Sequence, residues 1–563
     1  MGDYLTMFGR VLIANRGEIS VRIARTCREL GIESVAVYSD ADAGALHTRT
    51  ADRAINLPGV EPEATYLNAP RLIATAHDVG AVAVHPGYGF LAESARFAHS
   101  VIDAGLAWIG PPPDAILALG DKISARRLAI EAGVPVIRGL LEPVDDPGLI
   151  EEFAAEHGYP VAIKAAGGGG GRGLRVARSP GEVSGAFDAA RREAFSYFGS
   201  SEVFAELYLD GPKHLEVQLL APNPDEALWM GVRDCSLQRR HQKLIEETPP
   251  PRHRERAHEM GSAAVALSKA AGYVNAGTVE MLVDDRGDFY FLEVNSRLQV
   301  EHTVTEEVLG IDLVACQLSI AAGEGLDFTQ ADLIERGHAI ECRINAEDPA
   351  RGFIPDPGRL DRYVEPGGPG VRVDSGYAAE LTIPGAYDSL IAKVVVRGTD
   401  RDQARARMQR ALLEFEIDGV ATTIPAHRVV LDSEEFVSGN YTTTTMESGL
   451  LDTISSPLEV DAPGVLLVGG RPVKLWHPAM AASANAAVSG SDSPADVTAP
   501  LQGTILEVLA VAGRQVEVGT PLFVIEAMKM ETTVASRRAG RITEVSVTAG
   551  DSVTSGELLA RVE

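Results

Sequence analysis

The C-terminal end of this chain repeats itself, and that repeat restricts its fold more than any other feature. Residues 503–526 (GTILEVLAVAGRQVEVGTPLFVIE) lie on residues 540–563 (GRITEVSVTAGDSVTSGELLARVE) without a gap, and 10 of the 24 positions are identical. Glycines recur at Gly503/Gly540, Gly513/Gly550 and Gly519/Gly556, with β-branched residues between them. Such segments read as short strands broken by turns. Two equivalent halves can pack as a small quasi-symmetric β-sandwich. Between them runs Glu526-Ala527-Met528-Lys529-Met530-Glu531, which the repeat places at a turn, so Lys529 is expected at a tip. A turn lysine is ordinarily a solvated surface group. Two methionines around it add exposed apolar surface that solubility does not favour, so the trio asks for a functional reason.

Only 8 of the 51 basic residues are lysines: Lys122, Lys164, Lys213, Lys243, Lys269, Lys393, Lys474 and Lys529. Where arginine serves almost everywhere, a lysine inside a motif marks a need for a compact ammonium or a nucleophilic amine. Residues 479–497 (AMAASANAAVSGSDSPADV) have no hydrophobic period and read as a flexible linker. Its ends average about 25 Å apart as a coil and reach roughly 60 Å when stretched. Residues 463–476 read as a small hairpin without evident chemistry.

The remainder is too long for one core, and 563 residues divide into several domains. A net charge of −28 repels nucleic acid and anionic membranes, so neither is an expected partner. No apolar run reaches the roughly 18 residues of a membrane span and no signal peptide is recognisable. Cys27, Cys235, Cys316 and Cys342 are far apart, which argues against zinc and disulfides and points to a reducing cytoplasm. Cys235 reads as a packing residue.

The N-terminal end starts as β-α-β, with an apolar strand, the helical stretch after Asn15-Arg16-Gly17-Glu18, and Ser34-Val-Ala-Val-Tyr-Ser39. That start implies a parallel sheet. The GxGxxG of a dinucleotide site is missing, which excludes a nicotinamide cofactor. Further on, Gly167, Gly168, Gly169, Gly170 and Gly171 follow a strand bearing Lys164. Glycine runs let backbone N–H groups close on phosphate oxygens, and with no GKS/T after it this one reads as a phosphate-covering lid rather than a Walker A loop.

Residues 277–302 (GTVEMLVDDRGDFYFLEVNSRLQVEH) read as a β-hairpin turning at Asp285–Asp288. With Arg286-Gly287 as the loop, Glu280 faces Glu293 with Cβ atoms about 5 Å apart. Two facing carboxylates repel unless a cation lies between them, which suggests Mg²⁺. Glu293, Asn295, Arg297, Gln299 and Glu301 then recur with period two on one polar face, with Leu292, Val294, Leu298 and Val300 on the apolar one.

These segments carry a family resemblance. Ala527-Met528-Lys529-Met530 resembles the attachment motif of biotinyl domains from biotin-dependent carboxylases, while lipoyl domains usually lack the double methionine. His85-Pro-Gly-Tyr-Gly-Phe-Leu-Ala-Glu-Ser94, Gly120-Asp121-Lys122, the glycine run, Arg233–Lys243, Glu293–His302 and Arg343-Ile-Asn-Ala-Glu-Asp348 resemble biotin carboxylase, an ATP-grasp enzyme, from about residue 8 to 450. Ala92 and Ser94 stand where Ser and Asn are usual, and Leu207 where some members have lysine, which puts one adenine contact in doubt.

The resemblance implies an α/β multidomain chain: a Rossmann-like N-terminal domain (1–120), an ATP-grasp domain (121–335) with a lid at about 138–210, and an α+β C-terminal domain (336–450). A short β connection (451–478), the linker (479–497) and an all-β biotinyl domain (498–563) follow. It further implies ATP binding by Lys122, Lys164, Gly167–Gly171, Glu206, His214, Gln238 and His241. Glu280 and Glu293, with Asn295 near, would hold Mg²⁺ or Mn²⁺. Lys243, Arg297, Gln299, Val300 and Glu301 would hold bicarbonate, Glu301 acting as base. Arg343 would stabilise charge on the biotin ureido group, and Lys529 would carry biotin, attached by a biotin protein ligase. No segment remains for a carboxyltransferase, so the expected partner is a separate β-subunit, as in bacterial acetyl-/propionyl-CoA carboxylases, with homo-oligomeric α-subunits. A single-chain pyruvate carboxylase fails on length. A carbamoyl-phosphate type of ATP-grasp ligase and a catalytically dead carrier scaffold are the other readings.

Overall fold

The computed structural model describes residues 8–563 apart from 141, 166–173, 199, 241, 453, 455–464, 469–470, 475–494, 501–502, 528–529 and 554–555. Gly167–Gly171, His241 and Lys529 therefore lie outside the described residues.

The N-terminal β-α-β start builds a five-stranded parallel sheet ordered Arg53–Leu57, Glu33–Ser39, Arg10–Ile13, Ala83–His85, Ala107–Trp108. Val11, Leu12 and Ile13 are wholly buried because helices cover both faces of such a sheet. The helix Gly17–Glu29 follows the first strand closely and buries Glu18 at its start.

The second architectural unit is an eight-stranded antiparallel sheet. Its order is Phe289–Asn295, Asn275–Val283, Lys213–Asn223, Glu226–Arg239, Gln242–Thr248, His338–Asn345, Leu390–Gly398, Val371–Ser375. The boundary expected at 335/336 thus falls in a connection and not between separate sheets, since Gln242–Thr248 pairs with His338–Asn345 and runs one sheet through both regions. The region expected as a lid holds a small three-stranded sheet (Leu174–Ala177, Val161–Ala165, Val203–Leu207) with helices Pro147–His157 and Pro180–Phe198, over its own core of Val161, Ile163, Val183 and Phe187.

The hairpin expectation needs correction in detail. The loop is Asp285-Arg286-Gly287, closed by Asp284 N–H donating to Asp288 O at 3.0 Å, with Gly287 at φ 87°. Pairing near the loop is therefore one residue off the expected register (Val283 with Phe289, Met281 with Phe291). A bulge at Leu292 takes up the extra residue and restores Glu280 opposite Glu293. The bulge also turns Leu292 to the same side as Glu293, so it lines the cavity below instead of joining the apolar face. The period-two strand expected to reach Glu301 stops at Asn295, and Glu301 is the N-cap of helix His302–Leu309.

At the C-terminus the two repeat halves make two four-stranded sheets that exchange strands. Gly503–Val508 pairs with Ser552–Val553, and Gly540–Val545 with Gln515–Val516. The repeated glycines share positive φ, 87° and 94° at Gly513 and Gly550, 86° and 83° at Gly519 and Gly556, the left-handed turns a side chain would strain. Ala527 pairs with Met530, bracketing the expected lysine turn. The first strand, Asp496–Thr498, begins inside the stretch read as linker, because Val497 buries itself beside Ala560. Upstream, Val465–Val468 and Arg471–Lys474 pair as the expected hairpin. The carrier core also has a neighbour outside its own domain: Ile354 of the main body packs against it.

Candidate active site

A cavity of about 740 Å³ opens where the N-terminal domain, the lid region and the eight-stranded sheet meet. Lys122, Lys164, Glu206, His214, Gln238, Lys243, Glu280, Glu293, Asn295, Arg297, Gln299, Val300 and Arg343 all line it. Asn15, Arg16, Glu18, Tyr88 and Phe90 come from the N-terminal domain. Glu301 does not line it. Fully buried, it lies behind Lys243 and Arg343 and touches them at 2.7 and 2.9 Å.

The floor is a ladder of carboxylates. Register sets Glu293 opposite Glu280, Glu280 opposite Glu216, and Glu216 opposite Arg233, one row across four strands. Unpaired, such a row would be prohibitive inside a protein. Lys243 answers it, its ammonium 2.7 Å from each of Glu216, Glu280 and Glu301. Below, Arg233 is wholly buried and donates to Glu216 at 2.5 Å, Gln218 at 2.7 Å and Thr305 at 2.9 Å. Burial opposes charge on Lys243, but Glu216, Glu280 and Glu301 hold its pKa well above the ordinary value.

Glu280 and Glu293 are unlike despite facing each other. Glu280 accepts from Lys243, from Asn295 at 2.9 Å and from Gln299 at 3.2 Å, and His214 Nε2 lies 3.0 Å away. Burial favours its neutral form, yet Lys243 and His214 hold its pKa far below the usual carboxylate range. Glu293 is pushed the other way, by burial and then by Glu280 itself. A buried carboxylate raised by its neighbour is what a hard cation would relieve, and the oxygen donors of Glu280, Glu293 and Asn295 suit Mg²⁺ or Mn²⁺. The residues present therefore fit the metal.

Several cations around the cavity are held by carboxylates. Lys164 and Arg126 grip Glu206, the latter at 2.5 Å, so that despite burial Glu206 stays ionised. Arg297 donates to Glu93 at 2.9 Å, and to Asn295 and Gln299 at 2.9 Å each. Arg343 donates to Glu246 at 2.6 Å and to Glu301. Lys393 donates to Val300 O at 2.8 Å, fixing the backbone there. Burial lowers the pKa of Lys122, with Glu293 pulling it back. Cys235 is buried 3.9 Å from Glu301, its thiol pushed far up by burial and then by Glu216, which makes it a packing residue.

Sequence reasoning missed Glu93, Glu216, Arg233 and Glu246. Glu216 was legible as the middle of His214-x-Glu216-x-Gln218 on one strand face, and Glu93 stood inside a quoted motif. Glu246 had no local signal, because its partner comes from the other half of the sheet.

Comparison with known proteins places four family models along the chain. Family models match residues 7–116 (biotin carboxylase, N-terminal domain), 121–329 (carbamoyl-phosphate synthase L chain, ATP binding domain), 341–448 (biotin carboxylase C-terminal domain) and 495–562 (biotin-requiring enzyme). The biotin-dependent acyl-coenzyme A carboxylase alpha3 subunit of Mycobacterium leprae is 44% identical over 98% of this chain and 98% of its own length. Biotin carboxylase 1 of Bacillus subtilis is 48% identical over 78% of this chain and 99% of its own. Among solved structures, the biotin carboxylase of Campylobacter jejuni aligns at TM-score 0.75 and 41% identity, over 78% of this chain and 98% of that one. The biotin carboxylase domain of Hydrogenobacter thermophilus 2-oxoglutarate carboxylase, in complex with MgADP, ADP and bicarbonate, aligns at 0.76 and 43%, over 80% and 100%. A carboxylate-floored, cation-walled cavity and a repeat-built carrier, matched along nearly the whole chain, place this protein in the biotin carboxylase family, as a chain that joins biotin carboxylase to its own biotin carrier domain.

Proposed function

We propose that this chain carboxylates biotin carried on its own Lys529 and delivers it to a separate carboxyltransferase β-subunit acting on acetyl-CoA or propionyl-CoA. The carrying observation is the convergence of Lys243, Arg297 and Arg343 on a cavity whose floor sets Glu280 against Glu293. Lys122, Lys164, Glu206, His214, Gln238, His241 and Gly167–Gly171 bind ATP, with Glu206 orienting Lys164. Glu280 and Glu293, beside Asn295, would hold Mg²⁺, which would supply charge neutralisation during phosphoryl transfer.

Bicarbonate is a weak nucleophile and must be held in line. Lys243, Arg297, Gln299 and Val300 do so, and their pre-existing bonds fix where it sits. A bicarbonate oxygen attacks the γ-phosphorus, ADP leaves, and the bicarbonate proton passes to Glu301. Lys243 and Arg343 keep Glu301 ionised but weakly basic, so transfer requires Lys243 to turn toward the incoming anions and release it. The carboxyphosphate splits to CO₂ and phosphate. Phosphate takes the ureido N–H proton, nitrogen adds to CO₂, and Arg343 neutralises the charge developing on the ureido oxygen.

The relative from M. leprae, named as an acyl-CoA carboxylase subunit, supports the acyl-CoA assignment. Among the described residues no helix is long and apolar enough to cross a membrane, and we place the protein in the cytoplasm as a homo-oligomer of α-subunits, biotinylated by a biotin protein ligase. ATP cleavage by the purified chain with free biotin tests the carboxylase reading. It should require bicarbonate and Mg²⁺, and cleavage indifferent to bicarbonate would refute it.

A further inference from the structure

The seam of the eight-stranded sheet holds a second pair of facing carboxylates that the chemistry above does not use. Glu246 and Glu341 are register partners across strands Gln242–Thr248 and His338–Asn345, and neither is exposed. Both contacts from Arg343, at 2.6 and 2.5 Å, go to Oε1 of Glu246. Thr303 donates to Oε2 of Glu341. That leaves Glu246 Oε2 and Glu341 Oε1 buried without a hydrogen-bond partner. Two orphan acceptors on register partners would be satisfied together by one hydrogen held between them.

The surrounding charge points the same way. Arg343 is divided between Glu246 and Glu301. Lys243, on the strand of Glu246, is committed to Glu216, Glu280 and Glu301. Lys393 donates to Val300 O and lies 3.7 Å from Glu18 and 3.9 Å from Asp374. From helix His302–Leu309 Glu341 receives only the Thr303 hydroxyl. Lys243, Arg343 and Arg233 hold Glu301 ionised, and among the described residues too little cationic charge remains at the seam to ionise Glu246 and Glu341 both. We propose that Glu246 and Glu341 share a single proton, and that this proton keeps Arg343 available to the cavity.

Burial pushes Glu246 up to about 8, with Arg343 opposing and Glu341 adding to the rise. Burial likewise pushes Glu341 up to about 6, with Lys393 and Arg343 opposing. The proton belongs to the pair, and one stays bound near neutrality. With it, the pair carries a single negative charge. Without it, two carboxylates would draw the guanidinium into the wall and off the ureido oxygen it is to serve. Glu246 and Glu341 are thus positioning residues, and only the link to Arg343 rests on the carboxylation reading.

Infrared absorption of protonated carboxyls, measured on the full chain at pH 7, tests the shared proton without activity. Glu341→Gln and Glu246→Gln should each lose part of that absorption relative to wild type, because the remaining glutamate becomes an ion. Unchanged absorption in both overturns the proposal. Should the glutamine variants fail to fold, Thr303→Val removes the hydroxyl from Glu341 and should move the disappearance of the band to higher pH. An unmoved band overturns the proposal equally. In turnover with free biotin, Glu341→Gln supplies an N–H where the proton sat and should exceed Glu341→Ala in kcat by roughly tenfold, with KM for ATP alike. Equal kcat values would overturn the link to Arg343. Failure of wild type to cleave ATP with bicarbonate would instead sink the carboxylation reading and leave the infrared result standing.

Discussion

Replacing Glu293 by Gln should separate catalysis from folding. Glu280 and Glu293 stand on paired positions, with Cβ atoms about 5 Å apart. At an effective dielectric of about 20 their bare repulsion is roughly 3 kcal/mol. Lys243 and His214 already compensate Glu280, leaving about 1 kcal/mol for the substitution to relieve. The metal-free variant should therefore unfold no earlier than wild type, and up to about 2–4 °C later. The pH dependence has a definite sign. The folded-state pKa of Glu293 is raised by burial and by Glu280. Its contribution is thus fully present below the ordinary carboxylate pKa and is lost as pH rises through the raised value. Glu293→Gln should lack that decline, and should also lose the stabilisation Mg²⁺ gives wild type. Glu280→Gln is the contrast, since it strips Lys243 and His214 of a buried partner and should cost about 3 kcal/mol. The assay is calorimetry at matched pH with chelator and with Mg²⁺, beside ATP cleavage, which should fall at least about 100-fold in Glu293→Gln. A metal-free Glu293→Gln protein less stable than wild type by more than about 2 kcal/mol, or one with near-normal turnover, would refute the reasoning.

Lys529→Arg should abolish streptavidin recognition while leaving ATP cleavage with free biotin intact, and a variant that still carries biotin would contradict the attachment site. Ile354, packed on the carrier core, is expected to help seat the carrier. Ile354→Asp should slow carboxylation of tethered biotin and spare free biotin, and an equal loss on both would argue for a fold defect. Cys235→Ala should keep ATP turnover within a few-fold of wild type at a stability cost of about 1–2 kcal/mol, whereas complete loss would reinstate a chemical role for the thiol.

Local pattern carried the parallel start, the carrier repeat and the facing glutamates, because each depends on spacing within one short segment. The register at Glu280 came out as expected although the loop did not, since the bulge at Leu292 cancels the longer turn. The period-two reading beyond Asn295 failed because alternation of polar residues cannot tell a strand from the irregular segment 296–300, bent at Arg297 and turning at Val300, that leads into a helix. The seam residues were invisible for a different reason. Glu246 meets Arg343, 97 residues away, only through the pairing of two distant strands, and nothing near either residue announces that contact.

The most direct test incubates the biotinylated chain with ATP, Mg²⁺ and labelled bicarbonate, and follows the label. It should remain on the chain as carboxybiotin, be absent from Lys529→Arg, and move to acetyl-CoA or propionyl-CoA only when a carboxyltransferase β-subunit is added. Label on the Lys529→Arg chain, or labelled acyl-CoA product from this chain alone, would contradict the account.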